Sequence, residues 1–160
     1  MTTRFLQVCS LLILASTCLA GEHAGMSSNV AFETIVRGSE SGIRSARDQV
    51  IRDSVTWAAL WDEMNDSDET PPLPEVDFTH QMLVVVAMGE EPTSQFNIEV
   101  TRLVLRRGVS SGLPILEVNV TEHRPRGCTV LPSATAPIHI IVTDIVNDVT
   151  FRRKRVVDRC

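Results

Sequence analysis

Apolar residues recur along this chain with a period of two for most of its length and a period near 3.6 over one short stretch. Residues 30–37 read as a strand, and 38–42, Gly-Ser-Glu-Ser-Gly, as a flexible turn. A weaker strand over 43–51 carries Arg44, Arg47 and Gln49. Trp57, Leu60, Trp61 and Met64 then fall at i, i+3, i+4 and i+7, which predicts a helix with one apolar stripe. Asp53 or Ser54 can cap it by accepting a hydrogen bond from a free backbone N–H, and it must end before Pro71-Pro72. Two tryptophans on one face are the bulk of a core beneath a sheet; packing is the commoner use of such a stripe than a ligand cage.

After a polar, acidic loop over 65–74, residues 82–88 run Met-Leu-Val-Val-Val-Ala-Met without a break. A continuous β-branched run predicts a strand buried on both faces, the centre of the sheet. Residues 89–93, Gly-Glu-Glu-Pro-Thr, form a turn. Phe96, Ile98 and Val100 alternate with polar residues, and the parity shifts before Leu103 and Leu105, so a bulge is expected near Thr101-Arg102. A hairpin loop over 106–113 follows. Leu116, Val118 and Val120 repeat the alternation, as do Ile138, Ile140 and Val142, while Val149 and Phe151 open a last strand running into Arg152-Arg153-Lys154-Arg155. No helices alternate with the strands. The pattern predicts an α+β, β-rich fold: an antiparallel sheet or small sandwich of about seven strands with one packed helix.

The first 20 residues change the domain picture. One early cation, an apolar run from Phe5 to Leu14 and a small-residue exit predict a signal peptide over 1–20, cleaved after Ala20. The run is shorter than the about 20 residues of a spanning helix. The remaining 21–160 would be one domain, exported to the periplasm or outside the cell. Cys18 raises the alternative of a lipid anchor at the outer membrane, although Ala15-Ser16-Thr17 departs from the usual lipoprotein sequence. Losing Arg4 moves the formal charge from −5 to −6, which disfavours a nucleic-acid partner. Cys128 and Cys160 are then the only cysteine pair, and in an oxidising compartment they are expected to form a disulfide. Such a bridge closes a loop worth about 3.7 kcal/mol on the chain-entropy account.

Chemistry-bearing motifs yield to plainer readings. The run 108–112 matches Gly-x-Ser-x-Gly, but a nucleophile elbow needs a strand before it and a helix after it, and here strands flank both sides. No histidine follows the last acids in the order such a triad requires. Asp62, Glu63, Asp66, Asp68 and Glu69 lack the glycine and distal glutamate of a calcium loop. His23, His80, His123 and His139 share no metal-ligand spacing, and His139, opposite the core parity of its strand, reads as a surface or interfacial imidazole. No enzyme activity, metal or cofactor is expected. The cations at 152–155 read as protection of an edge strand rather than a polyanion site.

Several segments, taken in order, resemble the C-terminal domain of the PrcB family, accessory subunits of a bacterial surface protease complex. They are Gly42-Ile43-Arg44 with Val50-Ile51, the Trp57-x-x-Leu60-Trp61 helix, and Leu73-Pro74-x-Val76-Asp77-Phe78 leading into the 82–88 strand. Gly89-x-x-Pro92-Thr93, Ala136-Pro137-Ile138-His139-Ile140-Ile141 and Val149-x-Phe151 complete the set, which spans 42–151. Where that family continues Pro-Thr with Gly-Gly-Tyr, this chain has Ser94-Gln95-Phe96, keeping the aromatic but not the glycines' freedom. A form of the family with one cysteine before the Pro-x-His strand and one at the end is similar to this chain. The resemblance implies a non-enzymatic accessory or stabilising module that binds a protein partner, an exported protease or another envelope protein. The alternative is a free-standing protease inhibitor or ligand-binding domain. The candidate partner-binding residues are Glu90, Glu91, Pro92, Thr93 and Phe96. For Phe96 two readings stand: an exposed anchor, or the first core residue of its strand in phase with Ile98 and Val100.

Overall fold

In the computed structural model the described residues are 27–65, 71–108, 111–127 and 132–159. They form eight strands and one helix in chain order: β1 (Ser28–Val30), β2 (Glu33–Gly38), β3 (Arg47–Ile51), α1 (Ser54–Met64), β4 (Gln81–Ala87), β5 (Asn97–Arg107), β6 (Pro114–Arg126), β7 (Ile138–Asp144) and β8 (Asp148–Arg159). The expected first strand is two pieces. β1 joins one sheet, β1-β5-β6-β8, and β2 the other, β2-β7-β4-β3, so the chain changes layers at 31–32. The β-rich α+β class with a single helix holds.

α1, the sheet containing β4 and the sheet containing β5 stack in three layers with two apolar cores. β4 supplies both. Leu83, Val85 and Ala87 face Trp57, Leu60, Trp61 and Met64 of α1, while Met82, Val84, Val86 and Met88 face Ile98, Val100, Leu103, Leu116, Val118 and Val120 of the other sheet. That is why its sequence carries no polar alternation. The Asp53 side chain accepts from Thr56 N–H at 2.8 Å and starts the helix, and Gly42 N–H donates to Met64 O at 2.9 Å near its end. A Cβ on Gly42 would lie 2.1 Å from Glu63 O, so only glycine lets the 38–46 segment lie against the helix terminus. The two indoles meet edge to face at 5.2 Å, and their N–H groups donate to Pro74 O and Pro71 O, holding the 71–76 segment back over α1.

The β5–β6 register shifts between Val100 and Arg102, where the parity change placed a bulge. Two features differ from the sequence reading, and a third narrows it. Residues 43–46 are not strand: Ile43 is buried from a bend, and pairing with β4 begins at Arg47. β8 pairs with β6 in parallel, although every other ladder is antiparallel. β7 lies between β2 and β4 with both faces covered, so His139 is buried between the sheets, and the surface alternative for it falls. No helix among the described residues is long and apolar enough to cross a membrane. Gly108 N–H donates to Leu113 O between β5 and β6, so strands flank the Gly-x-Ser-x-Gly run on both sides, where a nucleophile elbow would lead into a helix; Val109 and Ser110 lie outside the described residues.

Candidate functional site

The 89–96 turn leaves the end of the central strand, and its shape is set by backbone contacts from two other segments. Gly89 has φ +79, and a Cβ there would come within 2.7 Å of Ala46 N and 2.9 Å of Arg44 O. Glu90 N–H then donates to Arg44 O at 3.1 Å. Glu91 and Thr135 exchange both backbone hydrogen bonds, at 2.7 and 2.9 Å, as an isolated antiparallel bridge. Ser133 N–H donates to Pro92 O and the Thr135 hydroxyl to Thr93 O. The turn is therefore fixed before any partner arrives. Glu90, Pro92, Ser94 and Gln95 are exposed on it.

Glu90 pairs with Arg44 at 3.0 Å, and both side chains border a groove of about 710 Å³ between the turn and the C-terminal end of α1, with Glu40, Asp62 and Glu63 along its wall. Phe96 takes the second of its two readings. It packs, half-buried, against the core between the sheets, and the Arg124 guanidinium lies 5.8 Å from its ring centroid. Glu91 also turns back into the protein, 3.5 Å from Arg124. Of the sequence-derived candidates, Glu90 and Pro92 face solvent, Glu91 and Phe96 support the turn from beneath, and Thr93 is intermediate, its hydroxyl buried with no hydrogen-bond partner among the described residues. Cys128 and Cys160, and the signal over 1–20 with Cys18, lie outside the described residues.

Two buried polar centres escaped the sequence reading. His139 is 2 % exposed between the sheets. Val100 N–H donates to its Nδ1 at 2.8 Å, which places the proton on Nε2, and that nitrogen donates to Thr34 Oγ1 at 2.9 Å. The imidazole thus ties β2 and β7 of one sheet to the bulge of β5 in the other. Burial pushes its pKa down to about 4; Arg37 nearby acts in the same direction, and Glu99, paired with Arg37, opposes.

Glu122 is the second centre. It continues the inward parity of Leu116, Val118 and Val120 on β6 and receives Arg153 at 2.5 Å, Arg124 at 3.1 Å and Arg155 at 3.3 Å. Burial alone would raise its carboxyl, but the hydrogen bonds and charges of Arg153 and Arg124 outweigh that and hold it below the usual carboxylate value. Arg153 also reaches Asp48 at 2.6 Å and Arg47 O at 3.2 Å on β3, joining the β8 and β3 edges of the two sheets. The signal for the Glu122 centre lay in the phase, since Glu122 and Arg153 each occupy the apolar parity of their strands; for His139 the phase gave none.

Among the described residues no three His, Cys, Asp or Glu side chains are placed to hold a metal ion. Comparisons with protein-family models, with curated proteins and with solved structures return no match to this chain.

Proposed function

We propose that this chain is a non-enzymatic, exported accessory or stabilising module that binds another protein, a protease or a different envelope protein, through the 89–96 turn. The observation that carries the reading is that this turn is exposed while its backbone is already held by Arg44, Ser133 and Thr135. A loop ordered in advance loses little conformational entropy on docking, so more of its contact energy becomes affinity. The resemblance to the accessory PrcB family supports the same reading. So does the use of the buried ionisable groups: Glu117, Glu122 and His139 all have partners that tie strands together, which is how a scaffold employs them.

The test replaces only exposed side chains of the turn. Glu90→Arg with Ser94→Arg should leave the urea midpoint unchanged, because an exposed pair such as Glu90–Arg44 contributes about 0–1 kcal/mol. The same variant, used as bait in envelope extract, should lose the partner that the unaltered protein retains. Capture that persists undiminished places the binding surface elsewhere. The inhibitor alternative uses the same turn and separates by effect: added protein that suppresses the captured protease's activity supports it, and added protein that prolongs the activity supports the accessory role.

A further inference from the structure

β8 is the longest edge strand of the molecule. It has 12 residues, against three, six and five for the other edges β1, β2 and β3. Its inner side pairs with β6 from Asp148 to Arg159, and among the described residues nothing pairs with its outer side. At about 3.3 Å per residue the free edge is about 40 Å long. An edge of that length offers a row of unpaired N–H and C=O groups to any incoming strand.

The cations of β8 decide which strand can use it. Arg152 is in register with Asn119 and Lys154 with Thr121, on the solvent face; Arg153 and Arg155 are on the opposite face. Arg152 is 2.5 Å from Glu117, which Arg106 also contacts, and Arg153 and Arg155 share Glu122 with Arg124. Around the 152–155 run, with Asp48 and Glu91 included, six cations face four carboxylates, Lys154 being in no ion pair among the described residues; Asp148, Asp158 and Arg159 lie at the ends of the strand. A surplus of two charges is too small to drive sequence-independent binding to a polyanion, whose affinity grows with the number of phosphates neutralised. It is enough to sort strands. Like charges directly opposite in a ladder are destabilising, so a second β8 laid antiparallel with the two-fold axis between Arg153 and Lys154, the register of greatest overlap, would set Arg152–Arg155 against itself.

We propose that the free edge of β8 is a docking site for an extended, acidic segment of a partner protein, which joins the β1-β5-β6-β8 sheet as a fifth strand. The main-chain groups supply the pairing, and glutamates or aspartates of the guest lie beside Arg152, Lys154 and Arg155. The same cations that admit an acidic guest exclude basic strands and further copies of this chain. The inference rests on the protein-binding reading above but assigns it a second surface, remote from the turn in sequence.

The probes are a fluorescein-labelled ten-residue peptide of alternating valine and glutamate, the same peptide with lysine for glutamate, and heparin. The acidic peptide should bind and slow amide exchange along β8 but not along the β3 edge, and the lysine peptide should not bind. Lys154→Glu should weaken the acidic peptide about five-fold and bring in the lysine peptide, a gain that a misfolded variant would not show. No protection along β8, protection along β3 instead, heparin binding tighter than the peptide, or dimerisation of the free protein would each overturn the proposal. Envelope-partner capture without β8 protection sinks this inference and leaves the turn reading standing. Peptide docking on β8 without any captured partner does the reverse.

Discussion

Replacing His139 by glutamine removes a titrating group that bridges the two sheets, and its effect should depend on pH in a calculable way. In the folded protein the imidazole is neutral, with Nδ1 accepting from Val100 N–H and Nε2 donating to Thr34 Oγ1. Burial, then Arg37, holds its pKa at about 4, against 6.5 when exposed. The unfolded chain therefore binds the proton more readily, so the contribution of His139 is complete above pH 6.5 and is lost as pH falls toward 4. For these two values the loss is about 2 kcal/mol at pH 5 and about 3 kcal/mol at pH 4. Protonation also strips Val100 N–H of its acceptor and leaves a cation beside Arg37, with Glu99 as the nearby anion. Urea unfolding of the unaltered protein and of His139→Gln at pH 7 and pH 5 measures the difference, since the carboxylates titrate alike in both. The unaltered protein should lose about 2 kcal/mol more than the variant between those pH values. Equal losses would mean that His139 is solvated or already charged, and the inter-sheet bond would be refuted.

Other outcomes follow from the packing. Trp61→Ala should cost about 3–5 kcal/mol in urea unfolding, since it empties a buried aromatic site against Trp57 and frees the 71–76 segment; a cost below about 1 kcal/mol would show that the helix does not face the sheet. Gly89→Ala forces a Cβ between Arg44 O and Ala46 N at a positive φ and should cost more than about 2 kcal/mol, with amide exchange rising over 89–96 first. If Cys128 and Cys160 are bridged, the unreduced protein should take up no alkylating reagent at either, and two added adducts by intact mass would exclude the pair.

Neighbouring residues in the chain were enough to determine β4, α1, a cap at Asp53 or Ser54 and the bulge near Thr101-Arg102. Each depends on a local period or a local hydrogen bond: seven unbroken apolar residues, four at helical spacing, one carboxylate three residues before an N–H, one change of parity. Glu122 and Arg153 were half legible. Their inward phase is written in 116–122 and 149–153, but nothing local says that β6 and β8 run parallel, in a register that sets Arg153 beside both Glu122 and Asp48 of another sheet. His139 stayed undecided between surface and interface for the same reason. Alternation states which side of a strand a residue takes, not whether that side is covered, and coverage of β7 depends on β5 packing across it, more than 30 residues away in the chain. Near neighbours share φ/ψ preferences and a period, whereas strand order and layer stacking are settled by which apolar faces can be buried together, a property of the whole chain.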